Sequence, residues 1–110
     1  MTNHLTQRET AICQAAKVQF GAQENENKTL EEAIELANNI LRRRDGRDTN
    51  NEKFASNLAD ALLMIKQCVH NLDAIRPGLF DNIYETKLAA FEKRMKQIEQ
   101  SNNTAPMFIG

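Results

Sequence analysis

The amino-acid sequence predicts an all-α fold of four helices, and three observations support this prediction. The 110-residue chain contains only 4 glycines and 2 prolines, and no stretch shows the alternation of apolar and polar residues that is typical of strands. Apolar residues instead recur every three or four positions, and turn-forming residues cluster in three places. We therefore expect one domain over residues 1–103, followed by an irregular apolar tail at 104–110 that could dock on a surface.

Turn and capping signals delimit the first two helices. The first is predicted from about His4 to Phe20, with a capping box that starts at Thr6 and with Gly21 as its end. The second is predicted from Thr29, in another capping box, to about Arg44. Its apolar row should face the core and consists of Leu30, Ala33, Ile34, Ala37, Ile40 and Leu41. The opposite face should be solvated within one chain and consists of Glu31, Glu32, Glu35, Asn38 and Asn39.

The third and fourth helices are separated by a break at residues 76–78. The third helix is predicted to begin near Thr49, in a further capping box, and to end before Pro77. Its expected core residues are Phe54, Leu58, Ala61, Leu62, Ile65, Cys68, Val69 and Leu72. The fourth helix extends from about Asp81 to Gln100, and its apolar row consists of Tyr84, Leu88, Phe91, Met95 and Ile98.

Charge and composition exclude several classes of function. The chain has 14 basic and 15 acidic residues, and this balance lacks the positive excess on which non-specific binding to nucleic acid depends. Its apolar stretches are too short to cross a bilayer, and the polar N-terminus does not resemble a signal peptide. We expect a cytoplasmic protein without a membrane partner. Cys13 and Cys68 lie among apolar residues and are expected in the core, and the histidines are too few for a zinc site.

Two pairs of oxygen-bearing side chains indicate a candidate metal site. Glu32 and Glu35 are three residues apart in the second helix, and Asn57 and Asp60 are three apart in the third. Residues at this spacing share a helix face, so antiparallel packing could bring all four around one point. Carboxylate and amide oxygens are ligands that Mg²⁺ accepts. The alternative is an ordinary solvated face, on which Glu32 serves as the acid of the capping box.

The segments 30–37 and 57–65 together resemble the MazG-like all-α nucleoside triphosphate pyrophosphohydrolases. The family signature is E-E-x-x-E followed by E-x-x-D on the next long helix, and residues 87–95 are similar to its basic final helix. The resemblance implies a four-helix MazG-like bundle that packs as a homodimer or dimer of dimers around the site. It also implies cleavage of nucleoside triphosphates to monophosphate and pyrophosphate with Mg²⁺, for which Mn²⁺ could substitute, and Glu32, Glu35 and Asp60 as catalytic metal ligands.

One departure from the family signature affects the implied activity. Asn57 stands where the signature has its first E-x-x-D glutamate. An amide oxygen can complete the metal site, but it carries no charge and cannot act as a base. Weaker metal binding or lost turnover would follow. The alternative function is therefore a MazG-like protein that binds or sequesters a nucleotide or cyclic nucleotide, or one that acts through a protein partner.

Four basic residues are candidates for binding the substrate phosphates. Arg44 and Arg47 belong to a basic run between the two acidic motifs, and arginine matches phosphate oxygens in geometry. The alternative is that this run only complements the dipole at the end of the second helix. Lys87 and Arg94 share a face of the fourth helix, where ordinary solvated charge is the alternative.

Overall fold

The computed structural model describes residues 5–104, and the fold over this range is all helical. The four helices are α1 (Gln7–Phe20), α2 (Ala22–Arg44), α3 (Asn51–Ile75) and α4 (Leu79–Thr104). This confirms the predicted class and helix number. His4, the first residue of the first predicted helix, and the predicted tail beyond Thr104 lie outside the described residues. Within the described range, no helix is both long and apolar enough to cross a membrane.

Gly21 ends α1 as predicted, and the capping box at Thr6 sets its start at Gln7, three residues after the predicted start at His4. The Glu9 amide donates to Thr6 Oγ1 at 3.0 Å, and the Thr6 amide donates to Glu9 Oε1 at 2.9 Å, which completes the capping box. The Gly21 amide closes the helix by donating to the Lys17 carbonyl at 2.9 Å. Gly21 has φ 86° and ψ 165°, a conformation that side chains with a Cβ rarely adopt. This single glycine turns the chain so sharply that α2 starts at the next residue.

The predicted start of α2 is wrong, and the predicted cap of α3 is one residue too early. α2 begins at Ala22 and not at Thr29, whose hydroxyl lies within the helix and donates to the Asn25 carbonyl at 2.7 Å. Thr29 also contacts α3, so its polar group is satisfied without a cap. α3 is capped by Asn50, one residue after the predicted Thr49, and its side chain accepts from the Lys53 amide at 3.1 Å. Local sequence predicts a helix cap reliably only where no tertiary contact competes for the capping side chain.

An antiparallel pair formed by α2 and α3 is the centre of the fold. α1 packs against both of these helices, whereas α4 contacts α3 alone. The radius of gyration is 18.7 Å, against about 13 Å for a compact chain of this length. Because α4 extends away from the other three helices, a single chain does not enclose one central core.

The apolar rows of α2 and α3 lie mostly at the surface, which contradicts the predicted core. On α2, Leu30 is 62% exposed and Ile34 is 54% exposed. The predicted row on α3 is divided, because Ala61 and Val69 are buried while the larger leucines and Ile65 are exposed. The α4 row is exposed throughout, from Tyr84 to Ile98. The apolar rows show which face of each helix is suited to burial. The helices of one chain are too few to cover all of these faces.

An apolar cavity separates α1 from the α2–α3 pair. Its volume is about 490 Å³, and its lining includes Ile12, Cys13, Phe20 and Leu63. At its edge, Lys66 Nζ lies 2.7 Å from Glu9 Oε2 and joins α3 to α1. The hydrogen bond from Lys66 lowers the pKa of Glu9 below its ordinary value, while burial raises the pKa of the Cys13 thiol. This ion pair and the 2.9 Å hydrogen bond between Gln14 Oε1 and His70 Nε2 are polar links between α1 and α3.

Candidate functional site

The surface between α2 and α3 is polar, although it is the most extensive helix contact in the chain. Asn39 is completely buried, and Asn25, Asn57 and Asn71 are at least nine-tenths buried. Buried amides are uncommon unless they form hydrogen bonds, because removing them from water costs free energy. The polar row of α2 thus faces α3, and α3 meets it with polar residues such as Asn57 and Asn71 and with apolar ones such as Phe54.

Hydrogen bonds at one end of this surface establish its register. Asn71 Nδ2 donates to Asn25 Oδ1 at 3.2 Å, and Asn25 Nδ2 donates to the Met64 carbonyl at the same distance. Thr29 Oγ1 lies 3.3 Å from both the Met64 carbonyl and Cys68 Sγ. Residues near the start of α2 therefore lie opposite residues in the second half of α3.

The other end of the surface is formed where α2 ends and α3 begins. The Arg43 guanidinium lies 4.3 Å above the Phe54 ring, and its Nη2 donates to Asn51 Oδ1 at 3.2 Å. Asp48, in the connecting loop, lies 3.0 Å from Lys53 Nζ and accepts a longer hydrogen bond, of 3.5 Å, from Asn39 Nδ2. The hydrogen bond from Lys53 lowers the pKa of Asp48 below its ordinary value.

Three buried polar atoms in the half of this surface next to the α2–α3 loop have no hydrogen-bond partner. They are Asn57 Nδ2, Arg43 Nη1 and Asn39 Oδ1. Asn39 is one turn before Arg43 on α2, and the register places Asn57 opposite this part of α2. A buried donor without an acceptor is rare and calls for an explanation. Two of the three are donors, which suits a ligand that carries oxygen acceptors.

The candidate acidic residues lie one to two helix turns from Asn39 and Asn57 along the helix pair. Glu32 is only 18% exposed at its side chain and lies 3.8 Å from Lys28 Nζ. Its burial, like that of Asn39, contradicts the predicted solvated face, because this side of α2 faces α3. Glu35 and Asp60 are exposed. By the register, these two residues lie at the same level of the pair.

Helix geometry places Glu35 and Asp60 on the same flank of the α2–α3 pair. Residues seven apart in a helix differ in direction by only about 20°. Glu35 follows Lys28 by seven residues, and Asp60 precedes Gln67 by seven. Lys28 and Gln67 line the same cavity against α1. Glu35 and Asp60 therefore lie on the same side of the helix pair as α1. They lie beyond the part of that side that α1 covers.

The structure does not gather the carboxylates into a complete metal cage within one chain. Over residues 5–104, no three acidic, histidine or cysteine side chains are close enough to hold a metal ion together. Mg²⁺ in nucleotide sites usually needs only one or two carboxylates, because substrate phosphates and water provide the other ligands. Glu32, Glu35 and Asp60, with the Asn57 amide, have the side-chain types that an open site of this kind uses. They do not fit a closed structural site.

The predicted phosphate-binding residues lie away from this surface. Arg44 is exposed at the end of α2, and Arg47 pairs with Asp45 at 2.7 Å. Lys87 and Arg94 are exposed on α4, which has no contact with α2. Arg43 was missed as an individual candidate within the basic run. Its spacing from Asn39, four residues, is the signal that it shares the buried face.

Comparison of the chain with family models, curated proteins and solved structures finds no match.

Proposed function

We propose that the protein is a Mg²⁺-dependent nucleotide pyrophosphohydrolase whose substrate binds on the open flank of the α2–α3 pair. The observation that carries this proposal is a pair of unpartnered buried donors: Asn57 Nδ2 lies about one helix turn before Asp60 on α3, and Arg43 Nη1 lies about two turns after Glu35 on α2. The motif resemblance supports the same conclusion. A polyphosphate would provide oxygen acceptors for the donors, and its bound cation would relieve repulsion among the carboxylates.

In the proposed reaction, water attacks the α-phosphorus and the bond to the bridging oxygen of the β-phosphate breaks. The products are a nucleoside monophosphate and pyrophosphate. Mg²⁺ or Mn²⁺, when bound, neutralises phosphate charge and lowers the pKa of water. Arg43 and Asn57 orient phosphate oxygens, while Glu32 and Asp60 provide cation ligands. Glu35 also belongs to this ligand set, and its exposed carboxylate accepts the proton of the attacking water.

A second candidate function is nucleotide binding without turnover. It is favoured by Asn57, whose neutral amide replaces a carboxylate of the family signature while its unpartnered donor still suits a phosphate oxygen. Such a protein would sequester a nucleotide or a cyclic nucleotide. The two candidates share the binding surface and differ in whether the phosphate chain is cleaved.

Pyrophosphate release distinguishes the two candidates. We would measure it over a panel of ribo- and deoxyribonucleoside triphosphates with Mg²⁺ and with Mn²⁺. Glu35→Gln and Asp60→Asn should each reduce turnover at least about a hundredfold, the usual scale for loss of acid–base catalysis. Glu26→Gln is the matched control, because Glu26 is exposed on α2 about half a turn away from Glu35 in direction.

Each outcome of this assay has a clear meaning. Activity that both substitutions abolish and the control retains supports hydrolysis at the α2–α3 flank. Equal activity in all variants contradicts the assigned site. If the wild-type protein releases no pyrophosphate, calorimetry with mono-, tri- and cyclic nucleotides tests the binding function, and absence of heat for every nucleotide refutes both candidates.

We also propose that the chain functions as a homodimer or a dimer of dimers. Its accessible surface is 8602 Å², about 40% more than the 6,200 Å² or so expected for a folded monomer of this mass. The excess includes the apolar rows of α2, α3 and α4, and uncovered apolar rows of this extent mark association surfaces. Sedimentation equilibrium tests the proposal, and a single-chain mass at micromolar concentration would contradict it.

A further inference from the structure

The apolar row of α4 has the spacing of a coiled-coil seam. Tyr84, Leu88, Phe91, Met95 and Ile98 follow one another at alternating intervals of four and three residues. This places Leu88 and Met95 at the a positions of a heptad and the other three at d positions. All five side chains are between 42% and 58% exposed. Of the helices in the described chain only α3 contacts α4, and it leaves these five side chains about half exposed.

The charges beside this seam are sorted by sign. The g positions are basic, at Lys87 and Arg94, and the e positions are acidic, at Glu85, Glu92 and Glu99. None of these five side chains forms an ion pair within residues 5–104. Charges at e and g determine which helices pair and in which orientation. The five charges are thus available to a second helix that lies along the same seam.

We infer that α4 binds the α4 helix of a second copy as a parallel, in-register coiled coil. In a parallel pair, each g residue meets the e residue of the next heptad on the other helix. Lys87 then faces Glu92 of the second copy, and Arg94 faces its Glu99. An antiparallel pair would place g against g and e against e, so that like charges meet. The order of charges therefore favours one orientation over the other.

Asn102 provides independent support for the parallel register. It is one heptad after Met95 and therefore occupies an a position of the same seam. A buried asparagine at a forms its hydrogen bond across a parallel dimer only when the two helices are in register. This arrangement gives Lys87 and Arg94 an interhelical role in place of the predicted contact with substrate phosphates. The inference does not depend on the nucleotide site.

Charge reversal tests whether the seam pairs the chains. The Lys87→Glu/Arg94→Glu variant makes both edges of the seam acidic, and the Glu92→Lys/Glu99→Lys variant makes both basic. Each alone should have a dissociation constant at least about tenfold higher than the wild type. An equimolar mixture should recover the dimer, because the g residues of one chain then face oppositely charged e residues of the other. The matched control is Lys93→Glu/Lys96→Glu, which changes the charge equally outside the seam.

Disulfide trapping tests the orientation. In a parallel in-register dimer, Asn102→Cys places two thiols across the seam from each other, and oxidation should give a covalent dimer that the wild type, with only Cys13 and Cys68, does not form. In an antiparallel dimer the two thiols lie at opposite ends, and no such product forms. Two results would overturn the inference. In the first, the wild type associates and both charge variants remain dimeric on their own. In the second, Asn102→Cys forms no covalent dimer. Both readouts measure mass, so they are separate from any failure to hydrolyse nucleotides.

Discussion

Replacing Asn71 with alanine should destabilise the α2–α3 pair by about 1–2 kcal/mol. Asn71 Nδ2 donates to Asn25 Oδ1 at 3.2 Å, and both residues are more than nine-tenths buried. The substitution leaves Asn25 Oδ1 buried without a donor, which typically costs about 1–3 kcal/mol. It also removes Asn71 Oδ1, which has no partner in the folded chain. Because the loss of this unpartnered atom offsets part of the cost, we expect a destabilisation in the lower part of that range of about 1–3 kcal/mol.

Urea unfolding followed by far-ultraviolet circular dichroism measures this change. All variants are compared at one protein concentration, because association would shift the apparent stability. For a domain of this size, each 1 kcal/mol lowers the melting temperature by about 4–8 °C. Asn38→Ala is the control, since Asn38 is exposed on α2 next to the buried row. It should be neutral or slightly stabilising, because alanine is the best helix former.

A double substitution separates the hydrogen bond from the packing around it. Asn25→Leu with Asn71→Leu removes both partners together, and such paired replacements can be nearly neutral or stabilising. The double variant should therefore be clearly more stable than the two single effects added together. If Asn71→Ala unfolds at the wild-type urea concentration, or if the single effects simply add, the buried hydrogen bond between α2 and α3 does not have the proposed energetic role.

Three further predictions concern the caps, the pH response and the metal site. Thr6→Ala should cost about 0.5–2 kcal/mol of unfolding free energy in the same urea assay, because it removes the α1 cap. The lowered pKa of Glu9 means that its ion pair with Lys66 stabilises the fold above the ordinary glutamate pKa, near about 4.3, and that this contribution is lost as the pH falls through the lower folded value. Glu9→Gln should flatten the stability curve in that acidic range, and an unchanged curve would contradict the assignment. Asn57→Glu should raise Mg²⁺ affinity and pyrophosphate release if the protein is a weakened enzyme, whereas a dedicated binder should show no new turnover.

The sequence allowed the helices and their local signals to be predicted, because these depend on neighbouring residues. The capping box at Thr6 and the break at Gly21 both involve atoms within a few residues of one another. The start of α2 was missed because Asn25 and Thr29 appear to the local pattern as turn-forming and capping residues. Their side chains are instead satisfied by Met64 and Asn71 on α3, more than thirty residues away.

The candidate site was predicted only in part, since the direction of α2 relative to α3 could not be read from hydropathy. A helical wheel assumes that apolar residues face the nearest neighbour, and here the nearest neighbour meets the polar face. Glu32 and Asn57 were selected from their spacing, and both lie on the surface between the helices. Arg43 was not distinguished from Arg44, because only the register of α3 shows which arginine contacts Phe54.

Within residues 5–104, α4 packs only against α3, and this limited packing affects its backbone dynamics. Amides exchange with solvent through local opening, and the free energy of opening depends on the packing of each segment. In an isolated chain, the amides of α4 should exchange with deuterium much faster than those of α2 and α3. Dimerisation would slow exchange in α4 more than elsewhere, so its protection should increase with protein concentration. Deuterium exchange in α4 should therefore measure association, whereas exchange in α2 and α3 should measure the folding of the chain.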